Sequence, residues 1–214
     1  MDTHIGIASA NFDGVFFIKK RFGMGIIMKR IAKFHKVSEE RFIADWMDTF
    51  GGTKEEALAV YEQLKLPKRA TQGSAGYDFY TPAAFTLAPG ETVKIPTGIR
   101  AEMETQYVLH LYPRSGLGFK YRLQLNNTVG IIDSDYFYSD NEGHIFAKIT
   151  NDSNEGKTVA LEQGTGFMQG IFLEYGITVD DEADGIRTVD LEVQPKRGMN
   201  EQLFLNVLQS NLRS

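Results

Sequence analysis

From Pro67 onward the chain is a succession of short β-rich runs cut by Gly, Pro, Asn and Asp. "YDFYTP", "FTLAPG", "TVKIPTGIRAEM", "YVLHLYP", "HIFAKITN", "KTVALEQGTG" and "GIFLEYG" follow in that order. Such spacing predicts a mainly β protein, a short-stranded barrel or jelly roll over residues 67 to 187. Within it, "LAPGETV" reads as a tight-turn hairpin.

Residues 38 to 66 read differently, as a helical hairpin. Ser38 can cap a first helix whose opening Glu39 and Glu40 suit the positive end of the helix dipole. Phe42, Ile43, Trp46 and Met47 share one face, and Gly51-Gly52 ends the helix. Thr53 and Glu56 form a capping box for a second helix, with Ala57, Leu58, Tyr61 and Leu64 on one side and Pro67 as its breaker. This hairpin is expected to pack on the β-domain or on a partner subunit. Residues 28 to 66 are thus read as an N-terminal strand and helical hairpin. Residues 1 to 27 show neither a helical period nor strand alternation, while Met28 opens "MKRIAKFHKVS" as a protein start would. The first section is therefore read as a mis-assigned start or an extension.

Composition narrows the chemistry. The chain of 214 residues can bury one core, or one core plus a small appendage. Its net charge of −5 argues against a nucleic-acid-coating or anionic-membrane surface. With no cysteine, disulfides, thiolate catalysis and zinc–thiolate sites are excluded. No apolar run approaches the ~18 residues of a membrane span, and no signal-peptide pattern opens the chain, so a cytoplasmic location is expected. His4, His35, His110 and His144 are scattered without metal-ligand spacing and are given no role.

Three segments concentrate Gly and polar residues. "GSAGYDF" sets Asp78 just after a small-residue turn. In "YPRSGLGF", Arg114, Ser115 and Gly116 put a guanidinium, a hydroxyl and backbone N–H groups around one small concavity, an anion nest suited to phosphate; the same residues also serve ordinary turns. In "LQLNNTVGIIDSDYF", a hairpin-like element bracketed by Asn127 and Gly130 could offer backbone donors and acceptors to a flat heterocycle. Asp133 follows Ile131 and Ile132, where a carboxylate could order and deprotonate a water, and Tyr136 could stack on a sugar. The alternative for Asp133 is a strand-end turn residue.

Taken together, AGYD, PRSG, GIID-x-x-Y and the glutamine of "GTGFMQG", in that order, resemble the trimeric dUTPase family, the dUTP diphosphatases. The resemblance implies water attack on the α-phosphorus of dUTP, releasing dUMP and pyrophosphate. By resemblance Asp133 would orient the water, and Tyr136 would pack against deoxyribose. Backbone groups around Asn127, Gly130, Ile131 and Ile132 would read uracil, with Phe146 in the wall. Arg114, Ser115, Gly116 and Gln169 would hold the phosphates, and Asp78 would belong to a supporting acidic network. It implies Mg²⁺ held mainly by the substrate phosphates, and a homotrimer with shared sites. No nucleic-acid or membrane partner is expected.

The chain departs from the family pattern in three places. "FYSDNEGHIF" inserts several residues after Tyr136, and Gly166-Phe167-Met168 precede Gln169 where the family often carries Arg. The third departure is the tail. The family ends in a glycine-rich arm, approximately R-G-G-F-G-S-T-G, that folds over the nucleotide; here Arg187 is followed by "TVDLEVQ". Allowed codons for that heptapeptide, read one nucleotide earlier, can encode Asn-Gly-Gly-Phe-Gly-Ser-Thr. Residues 188 to 214 are accordingly expected to be an out-of-frame tail, with turnover impaired by loss of the arm. Two other readings stay open: a dCTP deaminase of the same fold, and a non-catalytic deoxyuridine-nucleotide-binding trimer.

Overall fold

A computed structural model describes residues 29–185. The readings for residues 1 to 27 and 188 to 214, and Arg187 itself, lie outside the described residues.

The helices begin and end where their caps place them. β1 (Ala32–Lys36) leads into α1 (Glu39–Phe50), whose N-cap Ser38 accepts a hydrogen bond from the Arg41 backbone N–H. Gly51 ends α1, and α2 (Lys54–Glu62) starts on the complete Thr53–Glu56 capping box. The helical stretch is shorter than 38 to 66. α2 stops at Glu62, so Leu64 packs from the following loop, and Pro67 lies beyond the end already made at Gln63. Phe42, Ile43 and Trp46 are buried as their spacing predicts, with Val37 and Ala57. Met47, expected on the same face, is 39% exposed, because the buried stripe follows i, i+1 and i+4 and leaves the fifth position at its rim. Full burial of Phe42 alone contributes about 1.5–3 kcal/mol.

The mainly β architecture is that expected. Its further strands are β2 (Lys68–Arg69), β3 (Tyr77–Tyr80), β4 (Phe85–Leu87), β5 (Thr92–Pro96), β6 (Ile99–Met103) and β7 (Tyr107–Pro113). Then come α3 (Ser115–Tyr121), β8 (Leu123–Leu125), β9 (Gly130–Ile132), a 3₁₀ turn (Ser134–Tyr138), β10 (Phe146–Asn151), β11 (Val159–Leu161) and β12 (Gly166–Glu174). A five-stranded sheet runs β2-β3-β12-β7-β9, a three-stranded one β5-β10-β8, and β1-β6 and β4-β11 form antiparallel pairs. Their inward side chains form the main core, with Phe79, Leu109, Ile145, Ile149, Val159, Phe167 and Met168 at 1% exposure or less. β1 belongs to this body, since Phe34 packs its ring against Tyr77, Phe79 and Phe172.

Two local expectations are corrected. "LAPGETV" makes its turn, with the Glu91 N–H donating to the Ala88 carbonyl at 3.0 Å. The flanking strands do not pair as a hairpin: β4 goes to β11 and β5 to β10. Likewise "SGLGFKY" is the short helix α3 rather than a plain turn. Its two glycines give it poor intrinsic propensity, so its helicity is a product of packing; Leu117 and Tyr121 rest against the main core.

Candidate active site

The register of the five-stranded sheet assembles one group of candidates. β12 pairs Gln169 with Asp78 on β3 and with Tyr112 on β7, so these side chains rise from the same face. Arg114 follows at the end of β7, where its backbone N–H donates to the Phe167 carbonyl. Its Nε lies 3.5 Å from an Asp78 carboxylate oxygen. Glycines give this group room: a Cβ at Gly76 would come within 2.6 Å of Gln169 Oε1, and one at Gly166 within 2.7 Å of Arg114 Nη1. Those glycines are site residues that the sequence reading passed over, although both lie inside quoted motifs. Ser115 and Gly116 occupy the first turn of α3, where backbone N–H groups have no carbonyl four residues back to bond. A guanidinium, a carboxylate and an amide therefore share one end of the sheet, next to the start of α3, where the guanidinium could take phosphate oxygens.

A second group forms on the three-stranded sheet. Lys94, Asn126, Asn127, Phe146 and Lys148 line a depression of about 380 Å³. Asn127 is exposed in the loop between β8 and β9, and the turn is closed by the Thr128 N–H donating to the Leu125 carbonyl at 2.9 Å. Thr128 itself adopts a left-handed conformation, φ 64°. β8 and β9 belong to different sheets, so the hairpin-like element is a crossing between sheets. Gly130 is buried against Leu111, whose Cβ would stand 2.9 Å from a Cβ at this position; Ile131 is 52% exposed, and Ile132 packs on the core. Lys94 and Lys148, absent from the expected set, lie directly opposite one another, with the Lys94 ammonium 4.4 Å from the Phe146 ring centroid.

Asp133 follows β9 and caps the 3₁₀ turn, half-buried, with its backbone carbonyl accepting from the Tyr136 N–H. It is therefore a strand-end residue by position, as its alternative reading had it. The Tyr136 hydroxyl donates to the His144 carbonyl at 2.9 Å and accepts from Asn141 Nδ2 at 2.7 Å. The residues after Tyr136 fold back on themselves. Gly143 must be glycine here: its φ is +68°, and a Cβ would meet the Tyr136 carbonyl oxygen at 2.7 Å.

This inserted loop is seated on α1. Glu142 accepts from the Ser38 backbone N–H at 2.7 Å and from its hydroxyl at 2.6 Å. Burial pushes the Glu142 carboxyl up, but the Ser38 hydrogen bonds and the Arg100 and Arg41 charges outweigh it, and the net shift is below the usual range. Arg100 lies 3.7 Å from the Phe137 ring centroid and donates to the Phe137 carbonyl. His144, to which the sequence assigned nothing, is fully buried. Its Nε2 accepts from the Gly98 N–H at 2.8 Å, so Nδ1 carries the proton donated to Asp45 at 2.6 Å.

Among the described residues, no group of three or more His, Asp or Glu side chains is placed to hold a metal ion. A separate groove of about 160 Å³, lined by Trp46, Phe50, Pro82, Ala83, Ala84, Phe85, Val93 and Ile95, has almost wholly apolar walls and lies outside both groups.

The family model for dUTPase matches residues 62–196. The chain belongs to the dUTPase family. It is 42% identical over 130 residues to the deoxyuridine 5′-triphosphate nucleotidohydrolase of Lactococcus lactis subsp. lactis, an alignment covering 59% of this chain and 85% of that one. The Actinobacillus pleuropneumoniae protein of the same name is 41% identical over 117 residues, covering 53% and 73%. Among solved structures, the dUTPase from Streptococcus mutans is 41% identical with a TM-score of 0.48, covering 53% of this chain and 88% of that one. The alignments to these two named relatives leave about two fifths or more of the present chain outside the match.

Proposed function

We propose that this chain hydrolyses dUTP to dUMP and pyrophosphate. The observation that carries the reading is the convergence of Arg114, Gln169 and Asp78, with the first turn of α3, on one exposed patch in a chain of this family. Phosphoryl transfer asks mainly for positioning and charge neutralisation, which a guanidinium, an amide and two backbone N–H groups provide. Asp133, at the end of β9, orients and deprotonates the attacking water. Asn127, Gly130, Ile131 and Ile132 present the uracil-reading backbone, Phe146 forms the wall, and Tyr136 packs against deoxyribose.

By its family, this chain would take Mg²⁺ carried mainly on the triphosphate, with Asp78 the carboxylate of the phosphate-side group. When bound, the ion offsets the phosphate charge that a chain of net charge −5 does not neutralise.

A homotrimer with shared sites is the assembly we infer. Its support is that the phosphate-side residues Asp78, Arg114 and Gln169 do not line the depression formed by Asn127 and Phe146. Each group then meets the complementary group of a neighbouring copy. Among the described residues no helix is long and apolar enough to cross a membrane.

Pyrophosphate release from dUTP with Mg²⁺ tests the function. Wild type is expected to turn over, and Asp133→Asn to lower kcat by roughly 10²–10⁴-fold with dUMP binding retained. A chain with residues 188–194 replaced by Asn-Gly-Gly-Phe-Gly-Ser-Thr is expected to be faster, as a closing arm positions the triphosphate and screens it from bulk solvent while the attacking water stays with Asp133. Ammonia release from dCTP would replace this reading by the deaminase. Tight dUMP binding with no pyrophosphate from either chain would leave a nucleotide-binding protein.

A further inference from the structure

We infer that Asp45 and His144 form a positioning pair through which the N-terminal helical hairpin holds the nucleoside side of the site. The inference rests on the proposed function, and it adds residues on α1 and in the inserted loop that the dUTPase resemblance does not supply.

His144 is placed to act on two nucleoside-side residues at once. Its ring lies 4.5 Å, centroid to centroid, from Phe146, which lines the depression with Asn127. Its backbone carbonyl accepts the Tyr136 hydroxyl at 2.9 Å. The ring also lies near the helical hairpin, with the Phe42 ring centroid at 6.2 Å. Two hydrogen bonds remove its remaining freedom: Gly98 N–H donates to Nε2, and Nδ1–H donates to Asp45. Because Nε2 accepts and Nδ1–H donates, the ring is fixed in one orientation.

Asp45 is itself braced. It sits on the buried side of α1 one residue before Trp46, and its other carboxylate oxygen lies 3.5 Å from Arg41 Nη1. Arg41 in turn donates to the Asp140 carbonyl in the inserted loop at 3.1 Å. A lost Asp45 acceptor would leave a buried Nδ1–H without its partner, and the ring would have to turn or shift to find another. Either movement changes the surface on which the Phe146 ring packs, and a shift that carries the backbone of residue 144 also moves the carbonyl that holds Tyr136, while Asp78, Arg114 and Gln169, held by β3, β7 and β12, stay in place. The pair therefore governs binding of the nucleoside and leaves phosphate handling alone.

The test compares Asp45→Ala, Asp45→Asn and Thr53→Ala in the full chain. Asp45→Asn keeps a carbonyl acceptor for Nδ1–H, whereas Thr53→Ala loosens the same hairpin at an exposed cap that does not touch His144. The readouts are dUMP affinity by calorimetry, KM and kcat for dUTP, and the thermal midpoint of each variant. The expected result is an Asp45→Ala protein with dUMP Kd and dUTP KM raised about tenfold and kcat within about twofold of wild type. Asp45→Asn and Thr53→Ala are expected to bind dUMP as wild type does. Unchanged dUMP affinity in Asp45→Ala overturns the inference, as does equal weakening in Thr53→Ala, which would mark a general effect of loosening the hairpin. If Asp45→Ala does not fold, Asp45→Asn decides: weakened dUMP binding in that folded variant overturns the role of the acceptor, and wild-type affinity upholds it. A wild-type chain that binds neither dUMP nor dUTP brings down the functional reading and this inference with it, an outcome distinct from all the others.

Discussion

The phosphate-side and nucleoside-side groups are built by different means. Asp78, Gln169 and Tyr112 owe their alignment to antiparallel register, and Arg114 is tied to that ladder through its backbone N–H. Tyr136 depends instead on hydrogen bonds within an irregular loop, and Phe146, though it opens β10, packs its ring on His144 of that loop, which is itself seated on a helix about a hundred residues earlier. A ladder distributes its hold over many equivalent bonds, so no single side chain positions the group. The loop concentrates its hold in a few specific contacts, and each is a place where the site can be loosened. The first construction suits a charge-neutralising patch. The second suits a snug pocket whose shape must discriminate.

The largest expected break in this contrast is Arg114→Ala. Losing a charge-assisted contact to phosphate costs about 1.5–3 kcal/mol, so kcat/KM for dUTP should fall roughly ten- to a hundredfold. Deoxyuridine, which has no phosphate, should bind the variant as it binds wild type; equally impaired deoxyuridine binding would mean that the two groups are not separable. Next comes Gly143→Ala. A side chain forced into φ +68° against the Tyr136 carbonyl should destabilise the fold by about 2 kcal/mol, read as a lower denaturant midpoint at unchanged slope. Its effect on nucleotide affinity should exceed its effect on the rate of pyrophosphate release, and the reverse would contradict the assignment of this loop to the nucleoside side.

The smallest expected effect is the pH response of the loop's seat. The Glu142 carboxyl is held below the usual carboxylate range in the folded chain. Its contribution is therefore fully present above the unfolded-state value and is lost as pH falls through the lower folded value. Glu142→Gln should lower stability by about 0.5–1.5 kcal/mol near neutrality. It should also flatten the acid side of the stability curve, measured by urea denaturation at several pH values. An unchanged acid limb would show that Glu142 does not seat the loop.

Much of this was legible in the sequence where the deciding interaction is local. Ser38 and Thr53 cap their helices through residues three positions away, and the Gly/Pro-punctuated runs became strands. The pairing partners of those strands were not legible. "LAPGETV" determines a turn, but where β4 and β5 go is settled by β11 and β10, whose paired residues lie 50 or more positions further along. α3 escaped notice because "SGLGFKY" has weak helix propensity and is held by Leu117 and Tyr121 packing on the core. The chemistry-bearing motifs were visible as short strings, but only strand register sets Asp78 beside Gln169 and brings Arg114 next to them. His144 was not visible, since a single histidine carries no mark of a partner 99 residues away.

That separation also orders the making of the protein. Ser38 emerges from the ribosome 104 residues before Glu142, a gap of about 5–20 s at typical synthesis rates. α1 can form its local bonds at once through its own cap, and β1 can find β6 when residue 103 has appeared. Asp45 and Ser38 must then wait for the loop that completes them. The segment made first among the described elements therefore waits for a loop made much later, and the seat of Tyr136 and His144 is completed only when the two meet.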